Sequence, residues 1–134
     1  MICWDASLSL GIEELDAQHR ALIALANALE EKRGCEDPAV VAEALRFLRN
    51  FSDSHFPLEE MYMRTSQFPQ RKPHTQDHEL FINQVIFLEI EKEFGLATSQ
   101  LLDEILAFLA GWFEDHLAGQ DRAFHAYLHG SDEA

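Results

Sequence analysis

Each of four apolar stripes in this 134-residue chain runs into a histidine. Alternating steps of three and four residues keep side chains on the buried side of a bundle helix. In the first segment these steps give Ile12, Leu15, His19, Leu22, Ala26 and Leu29. The second gives Val41, Ala44, Leu48, Phe51, His55, Leu58 and Tyr62, with Glu59 one turn beyond His55. The third reads His74, His78, Phe81, Val85, Leu88, and the fourth Leu102, Ile105, Leu109, Trp112, His116. No period-2 run is long enough for a sheet, so the fold class is all-α. Gly34, Asp37-Pro38, the stretch from about Thr65 to Pro73, and Gly95 separate the segments. Short connections predict an antiparallel up-down-up-down four-helix bundle. Its helices are expected over about 12–33, 38–64, 74–94 and 98–118, with an N-terminal arm over 1–11 and a short helical tail over 119–134. The length suits one domain, 1–134.

In an alternating bundle, His19, His55 with Glu59, His74 with His78, and His116 all fall at the same end. One histidine on an apolar face is ordinarily a core imidazole satisfied by a neighbour. Five together are a liability, because each buried, unpaired acceptor costs about 1–3 kcal/mol and a buried carboxylate costs more. Divalent cations remove that cost. Asp121 is a further candidate acid: five residues beyond His116, it is off the face of a continuous α-helix, and Gly119 is expected to end the helix and turn the carboxylate back. Five imidazoles and two carboxylates exceed the needs of one ion and suit two, with carboxylates able to bridge. No cysteine belongs to the set, which argues against soft-metal and iron–sulfur sites. No Glu-x-x-His pair of the ferritin-like kind occurs. A set rich in neutral ligands favours the ferrous state, and therefore binding of a small molecule over oxidative catalysis.

Charge narrows the partners. Ten Lys and Arg against 24 Asp and Glu leave a net −14, which repels phosphate backbones and anionic lipid, so neither nucleic acid nor a membrane is expected. The longest apolar run, Ile105 to Phe113, is far short of the roughly 20 residues a span requires. The first residues have no basic and apolar secretory pattern, so a cytoplasmic location is expected. Cys3 and Cys35 lie in no metal or redox spacing and are expected to be free thiols.

The motifs Gln18-His19, His55-Phe56-Pro57-Leu58-Glu59-Glu60-x-Tyr62-Met63, His74-x-x-x-His78-x-x-Phe81 and Trp112-Phe113-x-x-His116-Leu117-x-x-x-Asp121 resemble those of the hemerythrin family, specifically its bacterial members. The likeness spans nearly the whole chain. It implies a four-helix bundle holding a non-haem di-iron centre that binds dioxygen reversibly. By position, the resemblance assigns His74, His78 and His116 to one iron and His19 and His55 to the other. Glu59 and Asp121 would bridge them together with an oxo or hydroxo group, and dioxygen would bind at the open position of the two-histidine iron. Leu22, Ile23, Phe56, Trp112 and Leu117, placed beside ligands, are the candidate walls of the dioxygen pocket.

The chain departs from the family pattern in three places. Pro57 falls inside the second helix, where a proline typically costs about 3 kcal/mol or bends the helix. Phe113 follows Trp112 where leucine is expected, and Arg122-Ala123-Phe124 follows Asp121 where lysine and tyrosine are frequent. His125 and His129 in the tail are not expected to touch metal. The expected role is non-enzymatic: dioxygen carriage, storage or delivery. The alternatives are a sensor input domain, signalling to a protein partner through autoxidation of the same site, and iron storage or peroxide consumption.

Overall fold

Helix boundaries follow local backbone chemistry in the computed structural model, which describes residues 3, 4 and 8–130. α1 runs Glu13–Glu31 with Glu13, Glu14 and Asp16 in its first turn, where acids oppose the helix dipole favourably. α2, Pro38–Thr65, begins as expected: the Asp37 side chain accepts a hydrogen bond from the Ala39 N–H at 3.0 Å, and Pro38 occupies the first turn. α3 is Arg71–Glu93 and α4 is Thr98–Trp112. α3 and α4 end differently. Gly95, at φ 88°, closes α3, with the Leu96 N–H returning to the Glu91 carbonyl at 3.1 Å. α4 passes directly into a π-helical stretch, Phe113–Asp121, and then α5, Arg122–Leu128.

Neighbouring helices pack in the order α1–α2–α3–α4 and back to α1, an all-α bundle with no strand among the described residues. Its main core joins the stripes read from the sequence, including Leu22, Leu48, Phe81, Val85, Leu102, Ile105 and Leu109. A smaller apolar cluster closes one end: Leu10 from the arm, Leu15 from α1, Met63 from α2, Phe68 from the α2–α3 connection and Phe124 from α5. The arm is tied down by Asp16, which is buried and accepts hydrogen bonds from the Leu10 N–H at 2.8 Å and the Ser9 hydroxyl. Gly11, at φ 75°, lets the arm pass the His129 ring, where a Cβ would come within 2.6 Å of Nε2. Gln67, at φ 59°, makes the turn that drops Phe68 into this cap.

Three expectations need correction or completion. α3 begins at Arg71 rather than near residue 74, because Pro73 sits in its first turn, where no backbone N–H is required. Pro57 neither ends nor breaks α2. It is exposed, as is Asp53, the residue whose carbonyl loses its helical partner to the proline. Gly119 does not stop the fourth helix. It lies within the π-helical stretch, and Asp121 reaches its place without any left-handed turn. A Cβ on Gly119 would meet nothing nearer than the Glu114 carbonyl oxygen at 4.0 Å. Gly119→Ala should therefore leave stability unchanged or raise it by up to about 1 kcal/mol in urea unfolding. A loss of several kcal/mol would reinstate a turn at this position.

Candidate metal centre

Between the main core and the end cap lies a buried polar layer: His19, His55, Glu59, His74, His78, His116 and Asp121, each no more than 1% exposed. The α-helical i, i+4 spacing places Glu59 beside His55 and His78 beside His74. His116 and Asp121 are five apart. Five residues turn an α-helix through about 500°, roughly 140° off the starting face. The i, i+5 pattern of the π-helix stacks them instead. Asp121 Oδ1 consequently lies 3.2 Å from His116 Nε2 and 2.9 Å from His74 Nε2.

The donors form two groups. Glu59, His74, His78 and His116 converge in one, and His19, His55 and Glu59 in the other. Glu59 Oε1 stands 2.6 Å from His74 Nε2, 3.0 Å from His78 Nε2 and 3.7 Å from His116 Nε2, while Oε2 is 3.4 Å from His55 Nε2. Asp121 repeats the arrangement, with Oδ1 toward His74 and His116 and Oδ2 3.2 Å from His19 Nε2. Each carboxylate thus gives one oxygen to each histidine group. Every residue expected as a ligand from the sequence is in this layer.

Three imidazoles are held from outside. His55 Nδ1–H donates to Gln18 Oε1 at 2.7 Å, His78 Nδ1–H to Glu60 Oε2 at 2.8 Å, and His116 Nδ1–H to Asp77 Oδ2. A proton on Nδ1 leaves the Nε2 lone pair facing inward, the tautomer a metal requires. Sequence reasoning gave Gln18, Glu60 and Asp77 no role. The available signal was adjacency, since each lies one residue from a ligand and is rotated about 100° toward a neighbouring helix. Aromatic faces complete the support: Phe51 stacks on His55 at 4.7 Å, Phe56 on His78 at 4.0 Å and Trp112 on His116 at 4.5 Å. Phe56 and Trp112 were expected near the ligands; Phe51 was noted only as a stripe residue. Leu22, Ile23 and Leu117 are buried in the same core. His125 and His129 pack on each other, 4.3 Å between ring centroids, outside both donor groups.

The donor set fits metal ions. His78 and His116, both with Nδ1 committed as donor, face each other through Nε2 at 3.2 Å, as do His74 and His116. Facing lone pairs repel unless a proton or a metal ion lies among them. Donors held at about 2.1 Å from an ion and at right angles are about 3 Å apart, the spacing present here. Both nitrogens of His19, His55 Nε2, Glu59 Oε2 and both Asp121 oxygens are buried without a hydrogen-bond partner among the described residues.

Electrostatics supports the same reading. Burial alone would raise Glu59, yet the imidazoles of His116, His55, His74 and His78 hold it well below its ordinary pKa. Burial and the charge of Glu59 would also raise Asp121, but His116 and His19 keep it low. Burial would lower His74, but Asp121 and Glu59 carry it up to about 9. His116 is raised in the same way against burial, whereas burial pushes His55 down. In the metal-free chain, protons on His74 and His116 stand in for missing cationic charge.

A bundle of four packed helices around a buried histidine–carboxylate layer defines a class of metal-binding helical proteins. The chain belongs to the hemerythrin family, with residues 10–128 matching the model of the hemerythrin HHE cation binding domain. It is 29% identical to a bacteriohemerythrin of Stenotrophomonas maltophilia (strain R551-3) over 124 residues, covering 92% of this chain and 79% of that protein. A hemerythrin-like protein of Naegleria gruberi is 30% identical over 125 residues, covering 93% and 92% of the two chains. A bacteriohemerythrin of Clostridium acetobutylicum is 26% identical over 128 residues, covering 92% and 98%. No described helix is long and apolar enough to cross a membrane.

Two outcomes follow. The stabilising charge on His74 is fully present below its ordinary pKa of 6.5 and is lost as pH rises through about 9. Chelated, metal-free protein should therefore unfold at lower urea concentration at pH 9.5 than at pH 6, and the opposite order would contradict the proton assignment. Asp77→Ala should weaken metal binding by about 10- to 100-fold in competition titrations. Unchanged affinity would show that His116 needs no outer partner.

Proposed function

We propose that this chain holds two iron ions in the buried layer and binds dioxygen reversibly, for carriage, storage or delivery. One observation carries the reading: Glu59 and Asp121 each turn one oxygen toward each histidine group. Such carboxylates tie two ions into one centre. His74, His78 and His116 would hold one ion, and His19 and His55 the other, both sharing Glu59 and Asp121. The two-histidine side has one protein donor fewer, so an ion held there would have a coordination position to offer a small ligand. When bound, paired ferrous ions supply an open coordination position and the electrons that dioxygen binding draws on.

The chain's own residues do the rest. Five neutral imidazoles and two carboxylates supply only two negative charges, a balance that favours ferrous over higher oxidation states. Leu22, Ile23, Phe51, Phe56, Trp112 and Leu117 exclude water, and an apolar wall disfavours escape of a charged oxygen species far more than of neutral dioxygen. The end cap of Leu10, Leu15, Met63, Phe68 and Phe124 closes the layer from the other side. Gln18, Glu60 and Asp77 keep three rings in the ligating orientation.

Iron-loaded protein, reduced without air, should develop a new visible absorption on exposure to dioxygen and lose it when dioxygen is removed. Irreversible oxidation on first exposure would overturn reversible binding. Glu59→Ala and His116→Ala should each reduce bound iron below two ions per chain, and retention of two by both variants would overturn the ligand assignment.

A further inference from the structure

α3 has a second apolar face, turned away from the bundle. Leu80, Phe87, Ile90 and Phe94 are 65%, 54%, 47% and 87% exposed. With Gln76 and Asn83 they fall at positions 76, 80, 83, 87, 90 and 94, alternating steps of four and three. That is the seam spacing of a helix that meets another helix, and an Asn at one seam position is a device for setting register. The inward stripe of His74, His78, Phe81, Val85 and Leu88 lies on the opposite side of the same helix. Large exposed apolar surfaces bordered by polar residues mark interaction sites.

Beside this face a groove of about 390 Å³ runs between α3 and α4, with Leu80, Phe81, Phe108 and Trp112 in its walls and Asp77 and Asp115 also lining it. Farther along the α3–α4 seam, Glu91 lies near Glu104 and holds its carboxyl above the ordinary pKa. On the other side, Glu79 shares a groove with Arg64, Arg71 and Lys72, and Glu93 shares one with Arg46, Arg49 and Lys92, so that flank carries both signs of charge. The α4 flank, where no lysine or arginine lines the groove, is therefore the acidic one, on a chain of net charge −14. An antiparallel second copy would set these acids against themselves, and the net charge of the whole chain opposes an anionic membrane.

We propose that the outer face of α3, with the groove beside it, docks an amphipathic helix of a protein partner whose apolar ridge is bordered by lysines or arginines. The surface reaches the metal layer directly. Asp77 and Trp112 line the groove, and Asp77 is hydrogen-bonded to His116 while Trp112 stacks on it.

The test uses the iron-loaded full chain and a synthetic helical peptide of about three heptads, with leucines at the seam positions and lysines beside them, titrated by calorimetry. It should bind, more weakly as salt rises, and the same peptide with glutamates in place of lysines should not. Phe87→Glu and Leu80→Glu, both on exposed positions, should lower the affinity about tenfold or more, even though each adds attraction for a cationic peptide. Met61→Glu, an exposed apolar site on α2, should not lower it. Undiminished binding by Phe87→Glu, or equal binding of the glutamate peptide, would overturn the proposal. So would dimerisation of the unaltered chain that Phe87→Glu disperses, or sedimentation of the chain with phosphatidylglycerol vesicles.

Discussion

Everything in this fold is arranged around one electrostatic constraint: two carboxylates and five imidazoles lie in a layer that water does not reach. Glu59 and Asp121 are fully buried, and burial by itself would drive both toward the neutral form. They remain ionised only because positive charge is shared among them, from protons in the metal-free chain or from metal ions in the loaded one. The apolar core beneath and the cap above strengthen the interactions within the layer by keeping the effective dielectric low. The same walls make the layer costly whenever that positive charge is missing. Metal loading and folding are coupled for this reason.

Rigidity comes from outside the layer. A ligating imidazole must present the correct nitrogen in the correct plane, and both are set by its second nitrogen and by what lies on its faces. His55, His78 and His116 each have a side-chain acceptor at Nδ1 and an aromatic ring against one face. His19 and His74 have no such acceptor at Nδ1 among the described residues. Each donor group therefore joins restrained rings to a freer one: His55 with His19, and His78 and His116 with His74.

α3 carries two assignments at once. Its inner stripe supplies His74 and His78 to the layer, and its outer stripe meets solvent as apolar surface. Apolar residues on both faces leave the helix with little net amphipathicity. The inner stripe was still legible because histidines and aromatics recur at bundle spacing. The outer stripe has the same spacing, but its purpose shows only when the bundle leaves it uncovered.

Much of the architecture and all seven buried donors were legible in the chain itself. Helix periodicity and turn residues are local properties, and burial of polar groups at a shared bundle end follows from alternating helices. What failed was the reasoning that depended on local alternatives of similar energy. Gly119 is equally compatible with a left-handed stop and with a helix interior, and the π-helical register that aligns His116 with Asp121 is selected by the contacts both residues make across the bundle. Pro57 was expected to weaken or bend α2, and the helix runs on through it. Gln18, Glu60 and Asp77 could not be chosen from among many surface-type polar residues until neighbouring helices placed them on imidazole nitrogens. Asp16 acquired its role only once the arm folded back. The order of residues thus determined which side chains would be buried together, because helical spacing carries that information. The three-dimensional packing decided which oxygen faces which nitrogen and how each ring is held, because those distances depend on helix register and crossing, which no single segment encodes.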